Sequence, residues 1–282
     1  VDRQGGGCRE MRYTDAIHRC KGSGDEVLAS CLTPAPASDR WTHQRAAAPV
    51  VSEKRPDMTN WHMTNADFYT ASQRSLQDQF ESRPLADRIE MAVVQPELED
   101  RHTSFISSRD FFYLATVNSD GEPTVSYKGG GIGVVSVVNS TTLAFPIYDG
   151  NGMFLSAGNM ADTGKVGLLF MDFETPQRVR VQGDASVHTD DELLETYPGA
   201  LLICRIAVTS VFINCARYIH KHTRVESSQY VPDESGDQPL ASWKRIDGVQ
   251  DVLSPAVQSQ VLDAGGVITD QEYGEMLMKG ES

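Results

Sequence analysis

The sequence predicts a mainly β fold, an antiparallel β-barrel with flanking helices. Three observations point there. After Asp110 the apolar period drops to two, or to short apolar runs, in seven consecutive segments. Turn sequences join them, "NSDGE" after the first and "ETPQ" after the fifth. Before Asp110, from about 72 to 109, the apolar spacing is helical. Several antiparallel strands with few helices are best closed as a barrel.

Residues 1–57 stand apart from the rest. They hold nine Lys/Arg and eight Asp/Glu, whereas 58–282 hold sixteen and thirty-one. Stretches such as "GGG", "KGSGDE" and "TPAPASD" show little apolar periodicity. Such a segment buries too little apolar surface to offset its ordering entropy. It is expected to be a disordered extension, with Met58 and Met63 as alternative starts. Its Cys8, Cys20 and Cys31, with His18 and His43, lack metal-ligand spacing, so no metal site is assigned.

Residues 58–110 are expected to form a helical segment packing on the barrel. Leu76, Phe80, Leu85, Ile89 and Val93 make one apolar stripe. Pro84 opens a second helix, where its missing N–H costs little. "PELEDRHTSFISSRDF" reads as a third, with acids in its first turn. The barrel is assigned to 111–224, with strands at 111–118, 122–128, 133–138, 141–147, 166–173, 178–188 and 201–214. "DGNGMFLSAGNMADTGK" suits a short helix entered through a Gly-rich turn, and "DDELLETYP" another. Residues 225–282 remain as a C-terminal extension.

Composition excludes some functions. A formal charge of −14 argues against a general nucleic-acid binder, which needs many cations at phosphates. No apolar run approaches the ~20 residues of a membrane helix, so no membrane partner is expected. The start has no apolar stretch of the secretory-signal kind. Five cysteines at wide spacing, without C-x-x-C, read as reduced thiols of a cytoplasmic protein. Neither a G-x-G-x-x-G after a strand nor a G-x-x-x-x-G-K-[ST] is present.

Three stretches carry candidate chemistry. The first hairpin ends in "SYKGGG", a hydroxyl, a phenol and a cation followed by glycines. It reads either as a flexible loop with a solvated lysine or as an anion site lined by backbone N–H groups. "YDGNGMFLSAGN" adds a Gly-rich turn before a helix N-terminus, where orphan N–H groups favour phosphate. "NCARYIHKHTR" gathers Arg217, His220, Lys221, His222 and Arg224 in an otherwise acidic region. It reads either as a basic exit loop or as part of a site, with Tyr218 stacking on a planar ring or simply packing.

Residues from about 67 to 255 resemble the pyridoxamine 5′-phosphate oxidase-like FMN-binding split-barrel family, in particular a bacterial subgroup with an N-terminal helical segment. The resemblance lies in "SLQDQFESRPLADRI", "RDFFYLATVNSDGEPTVSYKGG", "LAFPIYDGNGMFLSAGNM", "VGLLFMDFETPQRVRVQGDA", "VFINCARYIHK" and "WKRIDGVQDVL", in that order. It implies a six-stranded antiparallel Greek-key-type barrel that forms a homodimer with FMN at the interface. By resemblance, Ser126, Tyr127, Lys128, Gly129 and Gly130 line the flavin groove. Asn151, Gly152 and Met153 form the turn under the phosphate, with Ser156 and Asn159 on the helix behind it. Arg178 and Arg180 reach the phosphate or the flavin's carbonyl edge. Arg217, Tyr218, His220 and Lys221 supply the half-site of the partner chain, and Lys244 stands outside the site.

The resemblance implies an FMN-dependent oxidoreductase acting on a small-molecule substrate or electron donor. A non-catalytic flavin or haem binder and an F420-dependent reductase are the alternatives on this fold. The chain departs from the oxidase itself. It lacks that enzyme's Arg-x-x-x-x-Lys pair between Ser126 and Gly131, and its Ser-Arg-Lys near Phe154, Leu155 and Ser156. "RYIHKHTR" replaces the oxidase's Arg-x-His-Asp-Arg, so little pyridoxamine 5′-phosphate oxidase activity is expected.

Overall fold

The computed structural model describes residues 68–281. The expectations for 1–57, including its cysteines and histidines, lie outside them.

Two helices come first, α1 (Ala71–Gln79) and α2 (Arg83–Val93). The Thr70 hydroxyl accepts from the Gln73 N–H, and the Gln73 side chain accepts from the Thr70 N–H. This reciprocal cap satisfies two donors at once. Pro84 sits in the first turn of α2, as its sequence position predicts. The apolar stripe does not face the barrel, however. Leu76, Phe80, Leu85 and Ile89 are all exposed, and neither helix buries a residue. Polar contacts hold the pair instead: Arg74 of α1 pairs with Asp87 of α2 and lies 3.8 Å from Glu90. The link to the sheet is narrow. The two-residue strand β1 (Val94–Gln95) pairs at Phe212, and the Phe68 ring meets Phe212 edge-on at 5.7 Å.

The seven strands expected after Asp110 all form. They are β2 (Phe111–Val117), β3 (Pro123–Gly129), β4 (Ser136–Asn139), β5 (Thr142–Tyr148), β6 (Lys165–Asp172), β7 (Gln177–His188) and β8 (Ala200–Asn214). Their order is β3-β2-β6-β7-β8-β5-β4, entirely antiparallel. β1 adds to β8 beyond the end of β5, giving eight strands rather than the six of the implied barrel. β1 and β4 are the short additions, and the sheet ends β3 and β4 stay unpaired, so the barrel is split.

Alternation sets the inner face. In β2, Phe112, Leu114 and Thr116 are buried between half-buried neighbours. In β7, Val179 and Val181 point inward beside outward Arg178 and Arg180. The inner side chains form one core with Phe112, Phe145 and Phe170 at its centre, their rings 5.0 and 5.5 Å from Phe112. The helix α3 (Asp100–Ser107) adds Ile106 and His102 to the interior, and α4 (Leu155–Thr163) plugs one end of the barrel. In α4, Asn159 donates to the Thr116 hydroxyl at 3.0 Å. The C-terminal part carries α5 (Pro255–Asp263) and α6 (Asp270–Lys279).

His102 is fully buried. Its Nδ1 accepts from the Glu99 N–H at 3.1 Å, while Nε2 has no partner among the described residues. Burial therefore holds the ring below its usual pKa, with Arg101 adding to the effect. The unfolded chain binds the proton more readily, so stability is full above the ordinary value of about 6.5 and falls as the pH drops toward the lowered one. Acid unfolding followed by circular dichroism should show this loss. A His102→Gln protein, with no group titrating there, should lose less stability over the same interval.

Candidate functional site

The register decides which way the end of the first hairpin points. Lys128 lies opposite buried Phe112, and Ser126 opposite buried Leu114. Directly opposed residues share a face, so Ser126 and Lys128 turn inward at the barrel mouth. Tyr127 lies opposite Tyr113 and turns outward. The strand thus ends with two polar groups on the inner side and a phenol on the outer.

The inner pair opens onto a notch of about 320 Å³ between β3, the end of β5, the 149–153 turn and the first turn of α4. Ser126 Oγ lies 2.9 Å from Ser156 Oγ, which joins strand and helix. The first backbone hydrogen bond at this end of α4 runs from the Gly158 N–H to the Phe154 carbonyl. The N–H groups of Leu155, Ser156 and Ala157 are therefore free of helical partners, and all three residues line the notch. Asn151 shapes the approach, its side-chain oxygen accepting from the Met153 N–H at 3.0 Å, and Gly152 turns the chain with φ +74°.

Lys128 is half-buried and lacks both ion pair and hydrogen bond among the described residues. Burial lowers its pKa, an effect partly countered by Cys204. The Cys204 thiol is itself fully buried and pushed up to about 12 by that burial, against a smaller opposing effect of Lys128. It is an inert thiol and no nucleophile. The notch therefore combines an uncompensated cation, two hydroxyls and free helix N–H groups. Its chemistry is that of an anion receptor.

A wider cleft of about 1000 Å³ adjoins the notch. Tyr127, Tyr148, Gly150 and Asn151 belong to the walls of both. Its far side comes from the C-terminal extension, which two ion pairs fasten down. Arg224 pairs with Asp110, and buried Lys244 with Asp149. Sequence reasoning set Lys244 outside the site, but the pairing brings it into the cleft wall. A lone lysine in a C-terminal tail carries no local signal for that; only its distance-spanning partner does.

The other sequence candidates fall elsewhere. Asn159 is buried on Thr116 and holds α4 in place, outside the notch. Met153 is exposed at the rim and is not part of the notch lining. Arg178 and Arg180 flank inward Val179 on the outer face. Arg180 shares a cross-strand row with Leu169, Tyr113 and Tyr127, three strands from Tyr127 or about 14 Å. Within one chain it cannot share a phosphate with Lys128. Arg178 Nε and Asn214 Oδ1, on paired residues, are buried without partners among the described residues. Arg217, Tyr218, His220 and Lys221 lie in an exposed turn after β8, where Tyr218 adopts φ +68°. That segment is anchored by the His222 ring on Phe173, 4.9 Å between centroids. Sequence reasoning missed Tyr148, which ends a buried strand and reads as core.

The glycines divide by role. A Cβ on Gly130 would stand 2.5 Å from Val134 Cγ2, whereas one on Gly131 meets nothing within 4 Å. A side chain at Gly130 is thus opposed by packing of the loop over Val134, and Gly130 also lines the wide cleft. Gly130→Ala is expected to cost about 1–3 kcal/mol through overpacking. In a Val134→Ala background the same change should cost clearly less, read from denaturant midpoints of the four proteins in the cycle.

Residues 98–211 match the family model described as pyridoxamine 5′-phosphate oxidase. Solved structures with a similar arrangement include a putative pyridoxamine 5′-phosphate oxidase from Lactobacillus delbrueckii, at 25% identity and a TM-score of 0.34, over 42% of this chain and 95% of that one. An FMN-binding protein from Syntrophomonas wolfei is similar at 13% identity and a TM-score of 0.32, over 50% and 96%. The heme storage protein HutZ from Vibrio cholerae is similar at 21% identity and a TM-score of 0.31, over 41% and 94%. No curated protein matches the chain.

Proposed function

We propose that this protein, whose residues 98–211 match the pyridoxamine 5′-phosphate oxidase family model, is an FMN-dependent oxidoreductase of that split-barrel family. It acts as a cytoplasmic homodimer on a small-molecule substrate or electron donor. The observation that carries the flavin reading is the notch, with its unpaired Lys128 beside two serine hydroxyls and the free N–H groups of α4. A phosphate dianion matches this donor set in sign and in hydrogen-bonding capacity. Lys128 would neutralise charge, Ser126 and Ser156 would donate hydroxyl protons, and the Leu155–Ala157 amides would complete the cradle. When bound, the flavin supplies hydride or electron transfer, and the chain supplies binding, orientation and electrostatics.

The dimer reading draws on surface left uncovered. Leu76, Phe80, Leu85 and Ile89 expose an apolar stripe, and Phe111 stacks between Tyr127 and Phe173 along the outer sheet face. Arg178 and Asn214 hold buried atoms without partners on that face. We place Arg178, Arg180 and the Arg217–Lys221 turn in the other protomer's site. The cytoplasmic assignment draws on the thiols Cys204 and Cys215, both free. Among the described residues no helix is long and apolar enough to cross a membrane.

Purified protein should be yellow and release FMN on denaturation; a deazaflavin or haem spectrum would redirect the assignment. Lys128→Ala should weaken FMN about ten- to a hundredfold, the worth of one charge-assisted contact. Mixed dimers test the sharing. Lys128→Ala and Lys221→Ala chains combined should recover flavin in half of the sites, and no recovery would place Lys221 elsewhere. The pH dependence follows from the lowered Lys128 pKa. FMN affinity should be full below that value and fall as the pH rises through it, while the Lys128→Met protein should show a flatter alkaline limb.

A further inference from the structure

The wide cleft differs from the notch in charge and in lining. Its two cations, Arg224 and Lys244, are both spent on Asp110 and Asp149. Glu226 and Asp263 also line it, and neither has an ion pair among the described residues. The net charge of the lining is therefore negative. Its walls carry four aromatic rings, those of Tyr127, Tyr148, Tyr230 and Trp243. The phenol groups of Tyr127 and Tyr148 stand where cleft and notch meet. Neither makes a hydrogen bond among the described residues, and burial raises the pKa of each, so both are neutral donors. Tyr230, by contrast, is engaged with Ser242 at 3.4 Å. The volume, about 1000 Å³, is at the upper end of the ~300–1,000 Å³ usual for small-molecule sites.

We propose that this cleft, between the barrel mouth and the C-terminal extension, binds the second reactant, a planar heteroaromatic compound that is neutral or cationic. The aromatic walls give flat apolar surface for a ring. The two free phenols at the junction donate to a carbonyl oxygen or ring nitrogen at the edge nearest the notch. Glu226 and Asp263 disfavour an anion and favour a cation. Notch and cleft thus select opposite charges within one continuous wall. The inference rests on the flavin reading for its place beside the cofactor, but the charge selection stands on the cleft alone.

Three ring compounds of nearly equal shape serve as probes: 1-methylnicotinamide, a cation; nicotinamide, neutral; and nicotinate, an anion. Binding to the flavin-loaded full chain is followed by tryptophan fluorescence and by equilibrium dialysis. The cation and the neutral compound should bind about tenfold or more tighter than the anion. Tyr148→Phe should weaken nicotinamide about threefold to tenfold, the loss of one neutral hydrogen bond. The double change Glu226→Gln with Asp263→Asn should remove the discrimination and leave flavin content unchanged. Three results would overturn the inference: equal or tighter binding of nicotinate, discrimination that survives the double change, or no saturable binding of any probe. Release of flavin by the probes would also overturn it, since the cleft would then hold the flavin ring itself. Failure of the protein to take up any flavin would instead sink the cofactor reading, and the charge series on the apoprotein would still decide this one.

Discussion

Strand β8 is the constraint on which the architecture turns. Its fifteen residues pair with β7 along one edge, and with β5 then β1 along the other. Both edges are hydrogen-bonded over most of the strand, and seven of its residues are buried. A strand so placed cannot slip by one residue without turning its inner side chains outward. Two bulges absorb the misfit, between Gln182 and Gly183 on β7 and between Ile147 and Tyr148 on β5. At Gly183 a Cβ would stand 2.5 Å from the Ala207 carbonyl oxygen, so the sheet is closed there to any side chain. The second bulge matters for the site. It lies where β5 leaves the sheet and delivers Tyr148 and the 149–153 turn to the barrel mouth, opposite Lys128.

With that frame fixed, the site depends on one unbalanced charge. Burying an ammonium without a partner is costly, and the lowered Lys128 pKa is that cost seen from the proton's side. The chain could have placed an acid beside it. Instead the acids nearest the mouth, Asp110 and Asp149, are each paired with a cation, Arg224 at the end of the barrel segment and Lys244 in the C-terminal extension. These pairs offset two negative charges that would otherwise compete with a ligand for Lys128. The place of both cations in the sequence, far from the hairpin, conceals this role.

Much of the fold was legible because it depends on short-range pattern. All seven strands after Asp110 show either strict alternation or a buried run, and Asp-Gly and Glu-Thr-Pro-Gln mark their turns. β1 escaped notice because two residues are too few to show a period. The helical stripe was legible as a helix but not as a surface, since spacing reports which residues share a face and not what covers them. The site was legible in part. Ser126, Tyr127, Lys128 and Asn151, Gly152, Ser156 do meet at the notch, because hairpin end and helix entry both carry local signatures of anion binding. Gly130 looked like part of that signature; it lines the adjoining cleft and packs on Val134 as well. Lys244 and Tyr148 carry no such signature, and Arg224 shows only as one of a cluster of cations. Their roles come from contacts across 95, 114 or many core-spanning residues, which no local window contains.

The Lys244 ion pair also joins the walls of the two cavities. Asp149 precedes the turn that shapes the notch, so the Lys244 pair ties the position of that turn to the roof of the cleft. A buried ammonium on a half-exposed carboxylate is stronger than a surface pair and weaker than a fully enclosed one. The charge plan of the molecule is therefore a division of labour. Arg224 and Lys244 offset the acids of the mouth, Lys128 is left without a counter-charge, and Glu226 and Asp263 keep the cleft lining negative.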